Sequence, residues 1–365
     1  MARNRVIYQS EALYVSKDAS VTGSSDHKQL ERVQSANYSF NISRQDVNQF
    51  GQLGKVGSMV LEAPTVSFDT SYLLTDGFNE RALGFYVQTG ASESQGSFVS
   101  GHLADGSGKN LYITTVGEGL DATGVDADLS SDDVIGIGNA YLTDYTLDLS
   151  VGSLPTVSVS FEAANIQSTA GDAKKNPAVK QSDGTQFTDS GIALPNASSG
   201  PSDQVALRPG DITINLSSVL GSSLADIGGP NDGDSAHIQS ASLSIPLSRS
   251  PLERLGTKYA YARAVDFPVQ ATLSVNAIVN EVDARNLTDV INNETGYQIL
   301  LTLKDEAGTD AMIFKMLGAQ IQSESFSSSI GSNKSVDLTF ATSIGGPNDL
   351  ANGVFVSGAN DTAAF

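Results

Sequence analysis

Val33-Gln34-Ser35-Ala36-Asn37-Tyr38-Ser39-Phe40-Asn41-Ile42-Ser43-Arg44 returns 205 residues later as Ile238-Gln239-Ser240-Ala241-Ser242-Leu243-Ser244-Ile245-Pro246-Leu247-Ser248-Arg249. Carried on to Gly51 and Gly256, the two segments share seven identities in 19 positions. The apolar phase is kept as well, in Tyr38/Leu243, Phe40/Ile245, Ile42/Leu247, Val47/Leu252 and Phe50/Leu255. Two further strands follow, Pro64-Thr65-Val66-Ser67-Phe68 and Pro268-Val269-Gln270-Ala271-Thr272-Leu273, with a one-residue slip. A second match closes the halves at an offset of 179. There Val151-Gly152-Ser153 pairs with Ile330-Gly331-Ser332, and Val157-Ser158-Val159-Ser160-Phe161 pairs with Val336-Asp337-Leu338-Thr339-Phe340. Two matches in the same order, with glycine, arginine and apolar phase preserved, point to a duplicated chain. The smaller second offset makes the middle of the second half about 26 residues shorter.

Period-two alternation dominates both halves. Strands are expected near 34–43, 58–73, 139–150 and 156–163, and again near 239–248, 264–280, 316–329 and 334–342. Gly152 with Pro155, and Gly331-Ser332-Asn333, supply the turns between the last two strands of each set. Each half offers one short helix, at 76–83 and at 283–291, the second with Leu287, Val290 and Ile291 at core spacing. A strand at 297–303 follows it. The fold class is mainly β: two tandem β-sandwich or small-barrel domains, each with a flanking short helix. The boundaries are 1–167 for the first, 168–203 for a Gly, Asp, Ser, Asn and Pro-rich insert or linker loop, 204–345 for the second, and 346–365 for a C-terminal tail. Ile227-Gly228-Gly229-Pro230-Asn231-Asp232 recurs as Ile344-Gly345-Gly346-Pro347-Asn348-Asp349, and both copies read as turns.

The residues that alternate with the apolar ones are small, polar and acidic. They run Ser35, Asn37, Ser39, Asn41, Ser43; Thr65, Ser67, Asp69, Ser71; Asp144, Thr146, Asp148, Ser150; and Thr156, Ser158, Ser160, Glu162. The second half adds Ser240, Ser242, Ser244 and Ser248, then Asp266, Gln270, Thr272, Ser274, Asn276, and Ser335, Asp337, Thr339. An ordinary solvated face mixes both signs, and lysine is a favoured edge residue. Here the bases lie in the segments just past the strands: Arg44, Lys55, Arg249, Arg254, Lys258 and Arg263. Such a wall would repel phosphate and keep its cations for protein contacts.

The whole chain has 365 residues, 21 Lys+Arg against 41 Asp+Glu, and a formal net charge of −20. That charge argues against a protein that grips nucleic acid, because such affinity comes from cations replacing phosphate counterions. It does not exclude one that DNA slides past. The absence of Cys removes disulfides, thiolate zinc sites and cysteine nucleophiles. Val6-Ile7-Tyr8 is too short for a signal-peptide core, and no run approaches the roughly 18 apolar residues of a span. The chain therefore reads as soluble, with no membrane partner. His27, His102 and His237 have no matched Ser and Asp spacing and read as loop or surface residues. Gly106-Ser107-Gly108-Lys109-Asn110 lacks the glycine and hydroxyl positions of a phosphate loop. Asp121, Asp126, Asp128, Asp132 and Asp133 lack the glycine and terminal Glu of an EF-hand. No catalytic residue, metal or cofactor is expected.

Asn139-Ala140-Tyr141-Leu142-Thr143-Asp144-Tyr145-Thr146-Leu147, followed by Val151-Gly152-Ser153-Leu154-Pro155 and the strand 156–163, resembles the terminal hairpin of phage major tail (tail tube) proteins. Ser43-Arg44 and Ser248-Arg249 resemble the loop by which tube rings stack, and Tyr259-Ala260-Tyr261-Ala262-Arg263 before a long strand is similar to the same family. The resemblance implies that each subunit gives a sheet to a continuous inner barrel, and that rings, commonly hexameric, stack into a hollow tail. Two tube domains per chain imply three chains in a pseudo-hexameric ring. It also implies a virion protein assembled in the host cytoplasm, with itself, the tape measure, tail tip and terminator proteins as partners, and genomic DNA passing without specific binding.

On that reading Asp69, Asp144, Asp148, Glu162, Asp266 and Asp337 face an acidic lumen. Arg44, Lys55, Arg249, Arg254 and Lys258 are candidates for contacts between subunits or rings. Competing readings are another phage ring or decoration protein, a secreted β-sandwich binding a glycan or calcium, and an acidic β-rich hydrolase.

Overall fold

The computed structural model describes residues 11–89, 96–104, 108–117, 120, 122, 133–169, 174–180, 185, 187, 191–195, 206–207, 212–215, 237–257, 259–260, 262–278, 296–305, 308–327 and 335–358. The first half contributes β1 (Glu11–Ser16), β2 (His27–Gln29), β3 (Val33–Asn41), β4 (Arg44–Val47), β5 (Gly57–Val60), β6 (Thr65–Leu73), α1 (Phe78–Leu83), β7 (Val87–Thr89), α2 (Ser100–Ala104), β8 (Lys109–Thr115), β9 (Asp133–Ser150), β10 (Thr156–Ala163) and β11 (Asn165–Thr169). The remainder contributes β12 (Ile212–Asn215), β13 (His237–Pro246), β14 (Arg249–Leu252), β15 (Ala262–Val265), β16 (Val269–Ile278), β17 (Tyr297–Lys304), β18 (Asp310–Ser327), β19 (Ser335–Ile344) and β20 (Gly353–Gly358). The expected mainly-β class holds.

Eight strands form the spine of one sheet in the order β3-β6-β10-β9-β13-β16-β19-β18. Read in chain terms, this is a four-strand unit followed in line by its counterpart, joined where β9 pairs antiparallel with β13. The details correspond at the offsets found in the sequence. The register slips at Gln34 where β3 meets β6, and at Gln239 where β13 meets β16. It slips again at Thr143 where β9 meets β10, and at Gln322 where β18 meets β19. These extra residues are β-bulges, which bend a strand and sharpen its twist.

Strands β9 and β18 each run 18 residues and serve two sheets. Their first parts pair outward, β9 with β8 and β11, and β18 with β17 and β20. Their last parts pair within the eight-strand row. The switch falls at Asn139 (φ 53°) and Gly318 (φ 66°), 179 residues apart, both left-handed. Glycine takes that conformation without cost and asparagine with little, because its side chain can satisfy nearby backbone. Asn139 does so: its Oδ1 accepts the Val179 N–H at 2.7 Å, and its own N–H donates to Asn110 Oδ1 at 3.2 Å.

Between the layers lies a core drawn from both halves. Phe85 and Phe98 stack at 4.3 Å, and Tyr145 meets both edge-on. Phe98 also meets Phe314 of the second half. Burying each such side chain contributes roughly 1.5–3 kcal/mol. α1 starts after Gly77 and stops at Gly84, both with positive φ, and the Gly84 N–H caps the Arg81 carbonyl.

Several expectations change. The segment 58–73 is two strands, broken before Pro64, and 264–280 is likewise split before Pro268, whose ring removes a ladder donor. Residues 346–365 are not simply a tail: β20 is buried, pairs with β18, and runs parallel to β7 of the first half. Gly345-Gly346-Pro347 is a turn as expected, with the Asp349 N–H on the Gly346 carbonyl. The described parts of 168–203 are not a linker. Asn176, Ala178 and Val179 are buried against the first half, and Ile192 and Leu194 join Tyr14 and Tyr112 in a second cluster. His27 and His102 are buried, not at the surface: His27 bonds the Gly23 carbonyl through Nδ1, and His102 packs on Phe85. The expected helix at 283–291, the 331–333 turn, the first copy of the Gly-Gly-Pro turn and most of the 121–133 acidic run lie outside the described residues.

Gly138 shows how closely that insert is seated. A Cβ there would collide with the Pro177 carbonyl and the Ala178 nitrogen, which are backbone and cannot swing away. Gly138→Ala should cost about 3 kcal/mol, read as a lower urea midpoint at unchanged slope.

Candidate functional site

Alternation sends one face of the eight-strand row to the core and leaves the other polar. Because cross-strand partners share a face, the polar residues fall into transverse rows. One row reads Thr156, Asp148, Ser242, Ser274, Thr339 and Ser323. A second reads Asn37, Asp69, Ser160 and Asp144. A third reads Ser150, Ser240, Asn276, Asp337 and Ser325. No Lys or Arg occurs in the seven full strands of this row or in 320–327 of β18.

Neighbouring hydroxyls and amides tie the carboxylates down. Ser160 donates to Asp69 at 2.7 Å, Ser242 to Asp148 at 2.7 Å, Thr146 to Asp144 at 3.0 Å and Asn276 to Asp337 at 2.5 Å. Partial burial pushes the Asp144 carboxyl up, partly offset by the Thr146 hydroxyl. The face is therefore a hydrogen-bonded mat with fixed negative charge. It can hydrogen-bond water, and it offers phosphate no cation.

The acidic candidates divide. Asp69, Asp144, Asp148 and Asp337 stand in these rows. Glu162 stands on the same face beside Ser67 but is ion-paired with Arg263 at 2.5 Å. Asp266 does not belong: it precedes β16 at the foot of the β14–β15 hairpin, where Ser250 Oγ donates to it at 2.9 Å.

The basic candidates divide too. The hairpins β4–β5 and β14–β15 match at an offset of 205, down to their tips at Phe50-Gly51 and Leu255-Gly256, whose glycines have φ 88° and 92°. Arg44 is exposed at the foot of the first hairpin, and Lys55 pairs with Asp46 within it at 3.0 Å, both well exposed. Arg254 is exposed at the second tip, and Lys258 lies outside the described residues.

Arg249 is a correction. Its guanidinium is buried by its own chain, donating to the carbonyls of His102 (2.8 Å), Arg263 (3.3 Å) and Leu142 (3.4 Å), with its centre 5.1 Å from the Tyr141 ring. Its hydrogen-bonding capacity is used inside the molecule. The sequence reading also missed Tyr141, which lies under both Arg249 and Arg263. It missed the fully exposed apolar tips Phe50, Leu53 and Leu255 as well. Apolar residues at a turn were the available signal.

No family model matches the chain, and no curated protein matches it. Among solved structures, it is similar to a chain from the virion of a native gene transfer agent particle, at 16% identity and a TM-score of 0.25, over 38% of this chain and 95% of that one. It is also similar to a chain from the anti-feeding prophage baseplate, at 14% identity and a TM-score of 0.26, over 41% of this chain and 93% of that one.

Proposed function

We propose that this chain is a structural, non-enzymatic phage virion protein whose duplicated tube domain builds the tail tube. The carrying observation is the in-line repeat of a four-strand unit within one sheet, which leaves β3 at one end and the last part of β18 at the other. Ends of different identity suit head-to-tail association, which closes into a ring when the rotation allows. Closure into a barrel also removes the exposed sheet edges. Three copies would supply six repeats.

The polar face supports a lumen for this barrel. Asp69, Asp144, Asp148 and Asp337 would give a three-copy ring about 12 fixed carboxylates, a wall that DNA passes without exchanging counterions. The apolar hairpin tips and Arg44 would meet the next ring. Tape measure, tip and terminator proteins would then be its partners in the tail.

Negative-stain electron microscopy of the purified chain at rising concentration tests the reading. Hollow tubes or stacked rings are expected. Dispersed monomers at every concentration would overturn it, and a melting temperature raised by calcium would then favour the calcium-binding sandwich.

A further inference from the structure

The seam inside the chain specifies a seam between chains. In the β9–β13 junction Ser240 faces Ser150, Ser242 faces Asp148, Leu243 faces Leu147, Ser244 faces Thr146 and Pro246 faces Asp144. Beyond that ladder, the Leu247 N–H reaches the Thr143 carbonyl at 2.8 Å. Strand β3 corresponds to β13 by its bulge and by its following hairpin, and β18 corresponds to β9 by its bulge and its left-handed switch residue. Only the partners differ. Among the described residues β3 is paired on one side alone, with β6, and 320–327 of β18 pairs with β19 alone.

Burial marks the same vacancy. Leu243, Ile245 and Leu247 are 3%, 0% and 0% exposed, whereas their counterparts Tyr38, Phe40 and Ile42 are 43%, 60% and 39% exposed. Equivalent positions in equivalent strands are covered at the internal junction and bare at the end of the sheet. The missing cover is what a second copy would bring.

Resting on the assembly reading above, we infer that β3 of one copy pairs antiparallel with the end of β18 of a second copy, in the register of the internal seam. Asn37 then faces Ser327, Ser39 faces Ser325, and Asn41 faces Ser323. The Ile42 N–H meets the Gln322 carbonyl, as Leu247 meets Thr143. The contact is directional, and each copy uses one of its ends per neighbour.

The chain has no cysteine, so engineered pairs report this register directly. Asn37→Cys combined with Ser327→Cys occupies the positions of Ser242 and Asp148, which touch at 2.7 Å inside the chain. Paired strands hold such residues within disulfide range. Mild oxidation of the full-length double variant should give covalent dimers and larger species. The yield should be about tenfold above that of Asn37→Cys with Ser323→Cys, whose second cysteine sits roughly 13 Å further along the strand. Ser242→Cys with Asp148→Cys should close within one chain and serves as the folded control.

Equal yields from the two intermolecular pairs would overturn the register. Tubes or rings in the microscope without a 37–327 cross-link would also overturn it, leaving the tube reading intact. Cross-linking in register with only open oligomers would uphold the seam and sink the tube.

Discussion

Arg249→Ala is expected to destabilise the folded chain by about 3 kcal/mol, while Arg44→Ala changes its stability by less than about 0.5 kcal/mol. The two arginines stand at matching places after matching strands. One guanidinium supplies three buried carbonyls with donors and lies near the Tyr141 ring. Its removal leaves those carbonyls without that partner, and each such loss costs about 1–3 kcal/mol where water cannot enter. Arg249→Lys should recover only part of the loss, because an ammonium lacks the planar fork that reaches several acceptors at once. Urea melts of the three variants check this. A loss below about 1 kcal/mol for Arg249→Ala would mean that water replaces the guanidinium freely. Arg44→Ala should instead act on assembly, read from tube yield.

Glu80→Gln is expected to stabilise the protein at pH 8 by about 3 kcal/mol and to leave it nearly unchanged at pH 4.5. Glu80 is buried on α1, and burial pushes its carboxyl up to about 7. Its own backbone N–H and the Tyr72 hydroxyl, which donates at 2.9 Å, partly offset the rise, and Asp76 adds to it. A carboxyl raised in the folded state keeps a proton between its unfolded value and about 7. Its contribution is therefore fully favourable in acid and falls away as the pH climbs through that window. His102 runs the other way. Burial, Lys109 and Arg249 hold it well below the ordinary imidazole value, so acid favours its protonated unfolded form. The two slopes oppose each other in the parent. The difference between parent and Glu80→Gln isolates the carboxyl, and a difference independent of pH would show that it titrates alike in the folded and unfolded chain.

The tandem strands were legible because alternation, bulge positions and turn glycines are local properties. Gln34 and Gln239, or Gly51 and Gly256, carry the same backbone geometry at the same offset. Arg44 and Arg249 show what local patterns omit. Both follow Ser after an alternating strand, and only the arrival of His102, Leu142 and Tyr141 from elsewhere buries one of them. The same holds for His27, which meets the Tyr112 ring edge-on, and for Asn176, which bonds Asn110 and the Ala19 carbonyl, partners distant in the chain. β20 was hidden by its flanks: Val354-Phe355-Val356 is a short apolar run between Gly, Asn and Ser, and its pairing with β7 crosses most of the sequence. On the polar face, five of six acidic positions followed from strand phase. Asp266 failed because Pro268 delays the start of β16 until Val269.

Joining β9 to β13 within one polypeptide also changes how assembly would proceed in time. In a ring of three such chains, three of the six seams form by first-order folding at any dilution. Of the other three, two form by bimolecular association, each costing roughly 4–15 kcal/mol in lost rigid-body freedom, and the third closes within the assembled trimer. Six single-repeat subunits would face that cost five times. Fusion would therefore lower the concentration at which closure begins, and it would set an alternation of strong and reversible seams around such a ring. Breakage should follow the same alternation, with rings shedding whole chains and never half a repeat.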